Sequence, residues 1–418
     1  MTPVPLRKNR DFILLQSGQT LSTIGSMSTQ IAYPLLVLAL IHSPARAGIV
    51  AFASVVPWAI FGFGAGVLAD RAPRRRVMVT SDVVRIVAVT SVIVAIAVDH
   101  LTFVHLALVA FIEGTMFVFF NVAEFGALRS VVSTAQLPRA AAAEQARYST
   151  VQLIGPPLGG ALFGLGRALP FVANATSVLF SLGSILSIRT PFQEAREAEE
   201  AEPLHSQLVE GLRWLWARPF LRTCALLFAA TNLIYEGLIL VLVVVGRSEG
   251  LSGGEIGLLI ASFGVCSLLG SALAPYLQRL LSMKAIIIAS GWVPLTISFF
   301  VLDPNVYVLL AVIVPLMLFV PTTSATVIGY RLAVVPDRLT GRVNSAARTI
   351  ALCGAPLGPL SAGLLLSATS PRVTIAVYSL FLLVPAIIGT LSPSIRNAPS
   401  LSELDELPTP EVSPAAVG

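Results

Sequence analysis

The chain has 418 residues, of which 55% are hydrophobic and 12% are charged, and its formal net charge is +5. A soluble globular protein carries about 25% charged residues, so this composition excludes such a protein and predicts a multi-pass membrane protein. Binding to nucleic acid is disfavoured despite the basic charge. The arginines lie in short gaps between apolar runs, where they orient a membrane protein in the bilayer.

Twelve apolar segments follow one another along the chain. A helix needs about 20 mostly apolar residues to cross about 30 Å of hydrocarbon, and each segment approaches or exceeds that length. The segments, numbered in chain order, span residues 12–40, 47–68, 77–98, 103–128, 140–165, 169–188, 221–245, 256–280, 285–302, 306–330, 343–366 and 373–391. The predicted fold class is an all-α membrane protein with twelve transmembrane helices.

The two halves of the sequence contain a repeat. Residues 116–160 and 317–363 both carry a methionine, Gly-x-x-x-x-Val-Val, Ala-Arg and Pro-Leu-Gly in the same order. A hydrophobic unit repeated once per half-chain is typical of secondary transporters built from two pseudo-symmetric halves. We therefore expect two pseudo-symmetric bundles of six helices each.

The basic residues alternate between the loops and predict an orientation. Loops on one side of the predicted membrane hold most of the lysines and arginines. The other side holds only Arg46, Arg167, Arg247 and Arg372. Cytoplasmic loops carry the excess of basic residues, so we expect a multi-pass protein of the cell membrane with both termini in the cytoplasm.

Domain boundaries follow from the segments. Residues 1–188 are predicted to form the N-terminal bundle, 189–220 a cytoplasmic linker, 221–392 the C-terminal bundle and 393–418 a disordered tail rich in Pro, Ser and acids. The second part of the linker places apolar residues on one helical face, which indicates an amphipathic helix at the membrane surface. They are Leu208, Leu212, Leu215 and Trp216. A plain connector between the bundles is the alternative.

The loop after the second segment carries a recognisable motif. Residues 66–76 read GVLADRAPRRR, which resembles the loop signature of the major facilitator superfamily: a glycine, an acid four residues later and a run of bases. The matching positions are Gly66, Asp70, Arg71, Arg74 and Arg75. Pro73 stands where the signature usually has glycine.

A second motif lies in the fifth segment. Residues 155–160 read GPPLGG and match the GPxxGG core of the superfamily's antiporter signature, although the glycines expected upstream are absent. With PFVANATSVLFS at 170–181 and GRVNSAARTIALCGAPLGPLSAG at 341–363, the chain resembles the bacterial exporter branch that includes macrolide-efflux and enterobactin-exporter proteins. The small residues allow close helix packing. They include Gly155, Pro156, Gly159 and Gly160.

The resemblance implies a conformational gate at the first motif. Asp70 would contact a neighbouring helix N-terminus, which carries partial positive charge, in the outward-open state. The gate candidates are Gly66, Asp70, Arg71, Arg74, Arg75, Asp82 and Arg85. The topology alone explains the arginines but not Asp70. Asp82 and Arg85 lie three residues apart in the third segment and can pair, as a structural bridge or a conformational relay.

Two acids stand alone within apolar segments. Glu113 lies near the predicted midplane of the fourth segment, and Glu236 lies in the seventh. The resemblance implies that helices 1, 4, 7 and 10 line a central cavity, which would place both acids beside the substrate path. A buried carboxyl group favours its neutral form and can exchange a proton. Proton coupling or attraction of a cationic substrate is therefore predicted, and an acid satisfied by nearby hydroxyls is the alternative.

Uncharged polar residues complete the predicted cavity. Gln30, Asn232 and Tyr235 lie in the first and seventh segments among Phe and Val. Scattered hydroxyl and amide groups on an apolar surface suit a moderately lipophilic ligand better than a sugar or a phosphate.

These features predict a secondary active transporter that exports a small amphiphilic compound, such as a drug, an antibiotic or a siderophore-like molecule, by alternating access and proton antiport. The alternatives are a lysophospholipid flippase, an uptake symporter, and a receptor or scaffold without transport activity. No catalytic motif, His/Cys metal cluster or ATP-binding motif is present in the sequence, so we expect no enzyme, cofactor or metal. The expected partners are the substrate, protons and the bilayer, with the protein as a monomer.

Overall fold

The computed structural model describes residues 5–61, 72–192 and 204–396, and in these ranges every regular element is a helix. The first six segments form the helices α1 Arg10–Ile41, α2 Pro44–Phe61, α3 Arg74–Ala97, α4 Phe103–Val131, α5 Leu137–Leu165 and α6 Leu169–Ser187. The predicted end of the second segment, at residue 68, lies outside the described residues.

The second half begins with the linker helix α7 Leu204–Trp216. Its membrane helices are α8 Pro219–Ser248, α9 Gly253–Leu280, α10 Met283–Trp292 with a 3-10 continuation at Val293–Val301, α11 Val306–Val334, α12 Asp337–Cys353 with α13 Leu357–Ala368, and α14 Pro371–Leu391. A short helix α15 covers Pro393–Arg396. All-α architecture in two six-helix bundles is thereby confirmed.

Two predicted segments are not single α-helices. The ninth tightens into a 3-10 helix at Val293, where Pro294 lacks the backbone N–H that an α-helix would use. The eleventh breaks between Cys353 and Leu357, around Gly354 and Pro356. A periodicity of apolar residues does not reveal such breaks, because both halves remain apolar.

Composition and length mark eleven of the described helices as membrane spans, with α12 and α13 counted together. Helix α5 is 29 residues long but carries Arg139, Glu144 and Arg147 in its first half. It packs between α1 and α9 and completes the twelve predicted helices.

The linker helix α7 packs on α12. Gly211 lies against the backbone of Arg342, and Arg342 forms an ion pair with Glu210. Leu215 is buried in the C-terminal bundle, whereas Leu212 and Trp216 are exposed. The side chain of Leu208 lies outside the described part. The predicted amphipathic helix thus has one contact face on the protein, while the domain boundaries remain predictions.

The hydrophobic core differs between the two ends of the molecule. We call the end that carries Pro5 and Arg396 the terminal end, and the other the opposite end. One apolar cluster at the opposite end contains side chains of both bundles, such as Leu35 and Leu238. At the terminal end, one cluster belongs to the N-terminal bundle and a separate one to the C-terminal bundle. Among the described residues, the apolar packing that the two bundles share therefore lies toward the opposite end.

Glycines bring the two bundles into backbone contact at the opposite end. A Cβ atom at Gly257 of α9 would lie 2.6 Å from the carbonyl oxygen of Pro156 of α5, and Gly160 lies against the Gly253 backbone. A Cβ atom at Gly48 of α2 would lie 2.9 Å from the Cα atom of Gly363 of α13. Small residues are needed for such approach, because apolar burial does not drive helix association within lipid.

We expect Gly160→Leu to disfavour the state that is closed at the opposite end, because the new side chain would occupy the space of the Gly253 backbone. Spin labels at Asp99 and Asp303, in loops at that end of the two bundles, measure the separation in a cysteine-free background. The distance should grow by at least about 2 Å, the range over which side-chain size sets helix spacing.

Gly164→Leu is the matched control on the same helix, since nothing lies within 4 Å of a Cβ atom added at Gly164. Equal distances in Gly160→Leu and Gly164→Leu would contradict the prediction.

Candidate functional site

A cavity lies between the two bundles. Its volume is about 460 Å³, within the range of about 300–1,000 Å³ that is usual for small-molecule sites. The N-terminal bundle contributes side chains from α1, α2 and α5, and the C-terminal bundle mainly from α8, α9 and α11. The lining reaches Gln145 and Cys224, near the starts of α5 and α8, so the cavity extends toward the terminal end.

Four predicted cavity residues lie in the lining. They are Gln30, Asn232, Tyr235 and Glu236. Asn232 donates a hydrogen bond to the carbonyl oxygen of Ala351 at 2.9 Å, which fixes its amide against α12. Among the described lining residues, Glu236 is the one charged side chain.

Aromatic rings form much of the apolar wall. Tyr235 and Phe263 have ring centroids 6.5 Å apart, and Tyr148, Phe228 and Phe319 add further rings. Rings and one carboxyl group together can bind a lipophilic molecule that carries a positive charge, through apolar contact, cation–π attraction and an ion pair.

Helix α5 contributes a polar stripe that sequence reasoning missed. Gln145, Tyr148, Ser149 and Gln152 line the cavity, and Gln152 donates to the Tyr148 hydroxyl at 2.9 Å. Their spacing of three and four residues places them on one helical face. The sequence could have revealed these lining residues, because polar side chains recur at this spacing inside a segment predicted to cross the membrane.

Glu113 does not line the cavity, contrary to the expectation from the resemblance. It is buried among α1, α4 and α6, where the Tyr33 hydroxyl donates to its carboxyl group at 2.6 Å and the Thr29 hydroxyl at 3.4 Å. The Asn174 amide also donates to it. The face of α4 that carries Glu113 turns toward these helices, and no described α4 residue is in the lining.

Asp82 and Arg85 form the predicted pair. Their side chains are 3.4 Å apart and almost fully buried. Ser181 of α6 donates to Asp82 at 2.8 Å, and Arg85 donates to Ser22 of α1 at 3.0 Å. The pair thus joins α3 to α1 and α6, while a relay role stays a prediction.

A third charged group lies nearer the terminal end. Arg147 of α5 contacts Glu124 of α4 at 3.7 Å and also pairs with Glu144. Thr23 accepts a hydrogen bond from Arg147 at 3.2 Å, and Gln16 donates to Glu144 at 3.1 Å. This group connects α1, α4 and α5.

Part of the predicted gate lies within the described residues. Arg74 donates to the carbonyl oxygens of Gly126 and Phe192 at 3.0 and 3.2 Å, and Arg75 to that of Leu186 at 2.7 Å. These contacts tie the start of α3 to the ends of α4 and α6. The remaining gate residues lie outside the described residues, and their role stays a prediction. They are Gly66, Asp70 and Arg71.

The packing motif of α5 has two contact faces. Gly155 and Gly159 lie against α1, at Met27 and Ser28, whereas Pro156 and Gly160 lie against α9. Close helix packing at these residues is therefore observed, and a sliding motion stays a prediction.

Known proteins resemble this chain over nearly its whole length. A profile of the family described as transmembrane secretion effector matches residues 2–416. The multidrug efflux pump Tap of Mycolicibacterium fortuitum is 26% identical over 409 residues, which cover 93% of this chain and 97% of the pump. Tap of Mycobacterium tuberculosis H37Rv is 26% identical over 429 residues, 96% of each chain.

A solved structure has the same fold. A bacterial homologue of the human lysosomal transporter Spinster, in an inward-facing and unoccupied conformation, superimposes with a TM-score of 0.75 at 16% identity, over 97% of this chain and 100% of that one.

The family profile over residues 2–416 and the efflux pumps that resemble nearly the whole chain identify a membrane transporter of the major facilitator superfamily. Within that superfamily the chain belongs to the transmembrane secretion effector family. The resemblance to the exporter branch is confirmed.

We expect Arg85→Gln to destabilise the protein by about 3 kcal/mol, because it leaves the buried Asp82 carboxylate without its cation. The double variant Asp82→Asn with Arg85→Gln should lose less stability than Arg85→Gln alone, since it buries no unpaired charge. Thermal unfolding of the purified protein in detergent, followed by tryptophan fluorescence, measures both. A double variant as unstable as Arg85→Gln alone would contradict this.

Proposed function

We propose that the protein exports a small amphiphilic compound across the cell membrane by alternating access, in exchange for protons. The observation that carries this proposal is the aromatic cavity between the bundles with Glu236 in its lining. The similarity to pumps named for multidrug efflux supports export of such compounds.

The direction of transport rests on the two ends of the molecule. The basic loops and both termini belong to the terminal end, which the positive-inside rule assigns to the cytoplasm. The bundles share apolar packing at the opposite end and have separate clusters at the terminal end. This conformation therefore takes substrate from the cytoplasmic side, and rocking of the bundles would release it outside.

The cavity indicates the class of substrate. Its rings and aliphatic side chains suit an apolar body. The amides of Gln30, Asn232 and Gln152 can form hydrogen bonds with a substrate, but a substrate with few polar groups also fits. Glu236 supplies the one charge of the described lining. A lipophilic compound with an ammonium or similar cationic group fits this arrangement. Both bundles that line the cavity belong to one chain, so transport by a monomer is the proposal.

Protons are the proposed coupling ion. The sequence has no ATP-binding motif, so an ion gradient must supply the energy for uphill export. Buried carboxyl groups that can exchange a proton are the expected carriers, and Glu113 and Glu236 are the candidates.

We expect everted membrane vesicles that contain the protein to accumulate tetraphenylphosphonium or ethidium when their lumen is acidified, and to lose this uptake when nigericin collapses the pH gradient. Glu236→Gln should reduce uptake of these cations at least about tenfold, because the substrate loses its ion pair. Uptake of a neutral dye of similar size separates the two roles of Glu236: it should change little where Glu236 only binds the cation, and fall to the same extent where Glu236 also carries the proton.

Glu255→Gln is the matched control. Glu255 is an exposed acid that caps α9 together with Ser252, and glutamine preserves that cap. Vesicles of the wild type that move none of a panel of cationic and neutral dyes would contradict export by proton exchange. Equal loss in Glu255→Gln and Glu236→Gln would contradict the role of Glu236.

A further inference from the structure

Helix α1 separates two different environments. One face lines the cavity with Met27, Gln30, Ile31 and Pro34. The other face carries hydroxyl and amide side chains inside the N-terminal bundle, and none of them is among the described lining residues. They are Gln19, Ser22, Ser26, Thr29 and Tyr33, whereas Gln16 and Thr23 follow the helical spacing of the cavity face.

Polar side chains of α1 contact three groups of ionisable side chains. Gln16 and Thr23 bind the group of Arg147, Glu124 and Glu144; Ser22 and Ser26 bind the pair of Asp82 and Arg85; Thr29 and Tyr33 bind Glu113. By helix rise, Gln16 and Tyr33 lie about 25 Å apart along α1. Polar groups thus lie along α1 from the terminal end to Glu113, first at Gln16 and Thr23 and then, on the other face, from Ser22 to Tyr33.

Within the described part of the chain, Glu113 differs from the other buried charges in having only neutral hydrogen-bond partners. Asp82 has Arg85, and Glu124 has Arg147. The described partners of Glu113 are the two hydroxyls of α1 and the amide of Asn174. An unpaired carboxylate in the membrane interior is costly, and uptake of a proton removes that charge.

The surroundings accommodate Glu113 with and without a proton. The hydroxyls of Tyr33 and Thr29 donate to it, and a hydroxyl can rotate to accept a hydrogen bond from a protonated carboxyl group instead. The two hydroxyls can therefore bind the Glu113 side chain with or without a proton.

Few other charged groups face Glu113 from the helices around it. Helix α6 has none, and the described part of α2 has only Arg46, near its start. Helix α3 contributes Asp82 and Arg85, which neutralise each other, and α1 contributes Tyr33. On α4 itself, His105 lies about two turns away and hydrogen-bonds with Ser91, and Glu124 lies three turns away and is paired with Arg147.

Tight contacts connect Glu113 to the closed end of the molecule. A Cβ atom at Gly25 of α1 would lie 2.9 Å from the Cα atom of Asn174, so α1 and α6 pack backbone to backbone. Ser28 of α1 donates to the carbonyl oxygen of Gly155 at 3.1 Å. Gly160, on the same helix as Gly155, makes the contact with α9.

We propose that Glu113 is the proton-binding site of the transport cycle, that it lies behind α1 and apart from the substrate cavity, and that α1 couples the two. This inference rests on the proposed function. The proton binds Glu113 from the polar groups along α1 and the substrate binds beside Glu236. Each therefore acts on a different face of one helix, and they do not compete for one carboxyl group.

An infrared difference spectrum between acidic and alkaline pH tests the proton site without any substrate. The full-length protein in lipid should give a C=O band from a buried carboxyl group that gains a proton. We expect Glu113→Gln to lose this band and Glu255→Gln to keep it. Glu113→Asp should keep a band at a shifted frequency, which preserves the test if the glutamine variant does not fold. A band that is absent from the wild type, or unchanged in Glu113→Gln, overturns the proposal.

Proteoliposomes test the coupling with tetraphenylphosphonium. If one proton exchanges for one cation, a pH difference of one unit sustains about a tenfold accumulation in the wild type. We expect Glu113→Gln to lose this accumulation and to retain exchange of labelled for unlabelled cation across the membrane, with partial rescue by Glu113→Asp. Glu236→Gln should weaken both processes. Uphill accumulation that survives in Glu113→Gln overturns the proposal.

The two measurements separate the possible failures. In one outcome the infrared band depends on Glu113, but wild-type proteoliposomes move no probe under a pH gradient. That outcome supports the proton site and rejects the proposed export. In the other outcome a pH gradient drives export equally well in the wild type and in Glu113→Gln. That outcome supports the proposed export and rejects Glu113 as the proton site.

Discussion

Backbone contact between glycines of the two bundles is the interaction on which this architecture depends. Lipid tails are as apolar as leucine, so burial of apolar side chains gives helices no reason to prefer each other over lipid. Gly160 and Gly257 on one side, and Gly48 and Gly363 on the other, allow α5 to meet α9 and α2 to meet α13 without intervening side chains. These contacts close the opposite end, and the separation of the bundles at the terminal end then creates the cavity.

The second constraint is the cost of charge within the membrane, and the two bundles meet it differently. Among the described residues, the four buried charged side chains, Asp82, Arg85, Glu113 and Glu124, all lie in the N-terminal bundle. Asp82 and Arg85 form an ion pair with each other, and Glu124 forms one with Arg147. The C-terminal bundle places its acid, Glu236, at the cavity. The repeat in the sequence therefore supplied two similar scaffolds, and the polar residues on them have diverged toward different chemistry.

Helix α1 brings these two constraints together. Its cavity face carries Gln30, and its other face carries the hydroxyls that bind Arg85 and Glu113. It also packs against Gly155 and Gly159 of α5. Gly159 directly precedes Gly160, which makes the contact with α9 that closes the opposite end. A helix in this position can respond to ligands on both faces, because any shift of it moves the contact between the bundles.

The sequence by itself determined the twelve helices, the repeat and the pairing of Asp82 with Arg85, because these follow from local rules: the length needed to cross a bilayer and the helical spacing of three residues. Which neighbour each helical face meets is not local. Only the tertiary structure decided that Glu113 faces α1 and α6 rather than the cavity, that α5 lines it with Gln145 and Tyr148, and that the eleventh segment breaks near Gly354. The physical reason is that the rotation of a helix about its axis depends on packing against its neighbours. When a helix is apolar on almost all sides, its sequence does not show which face points inward.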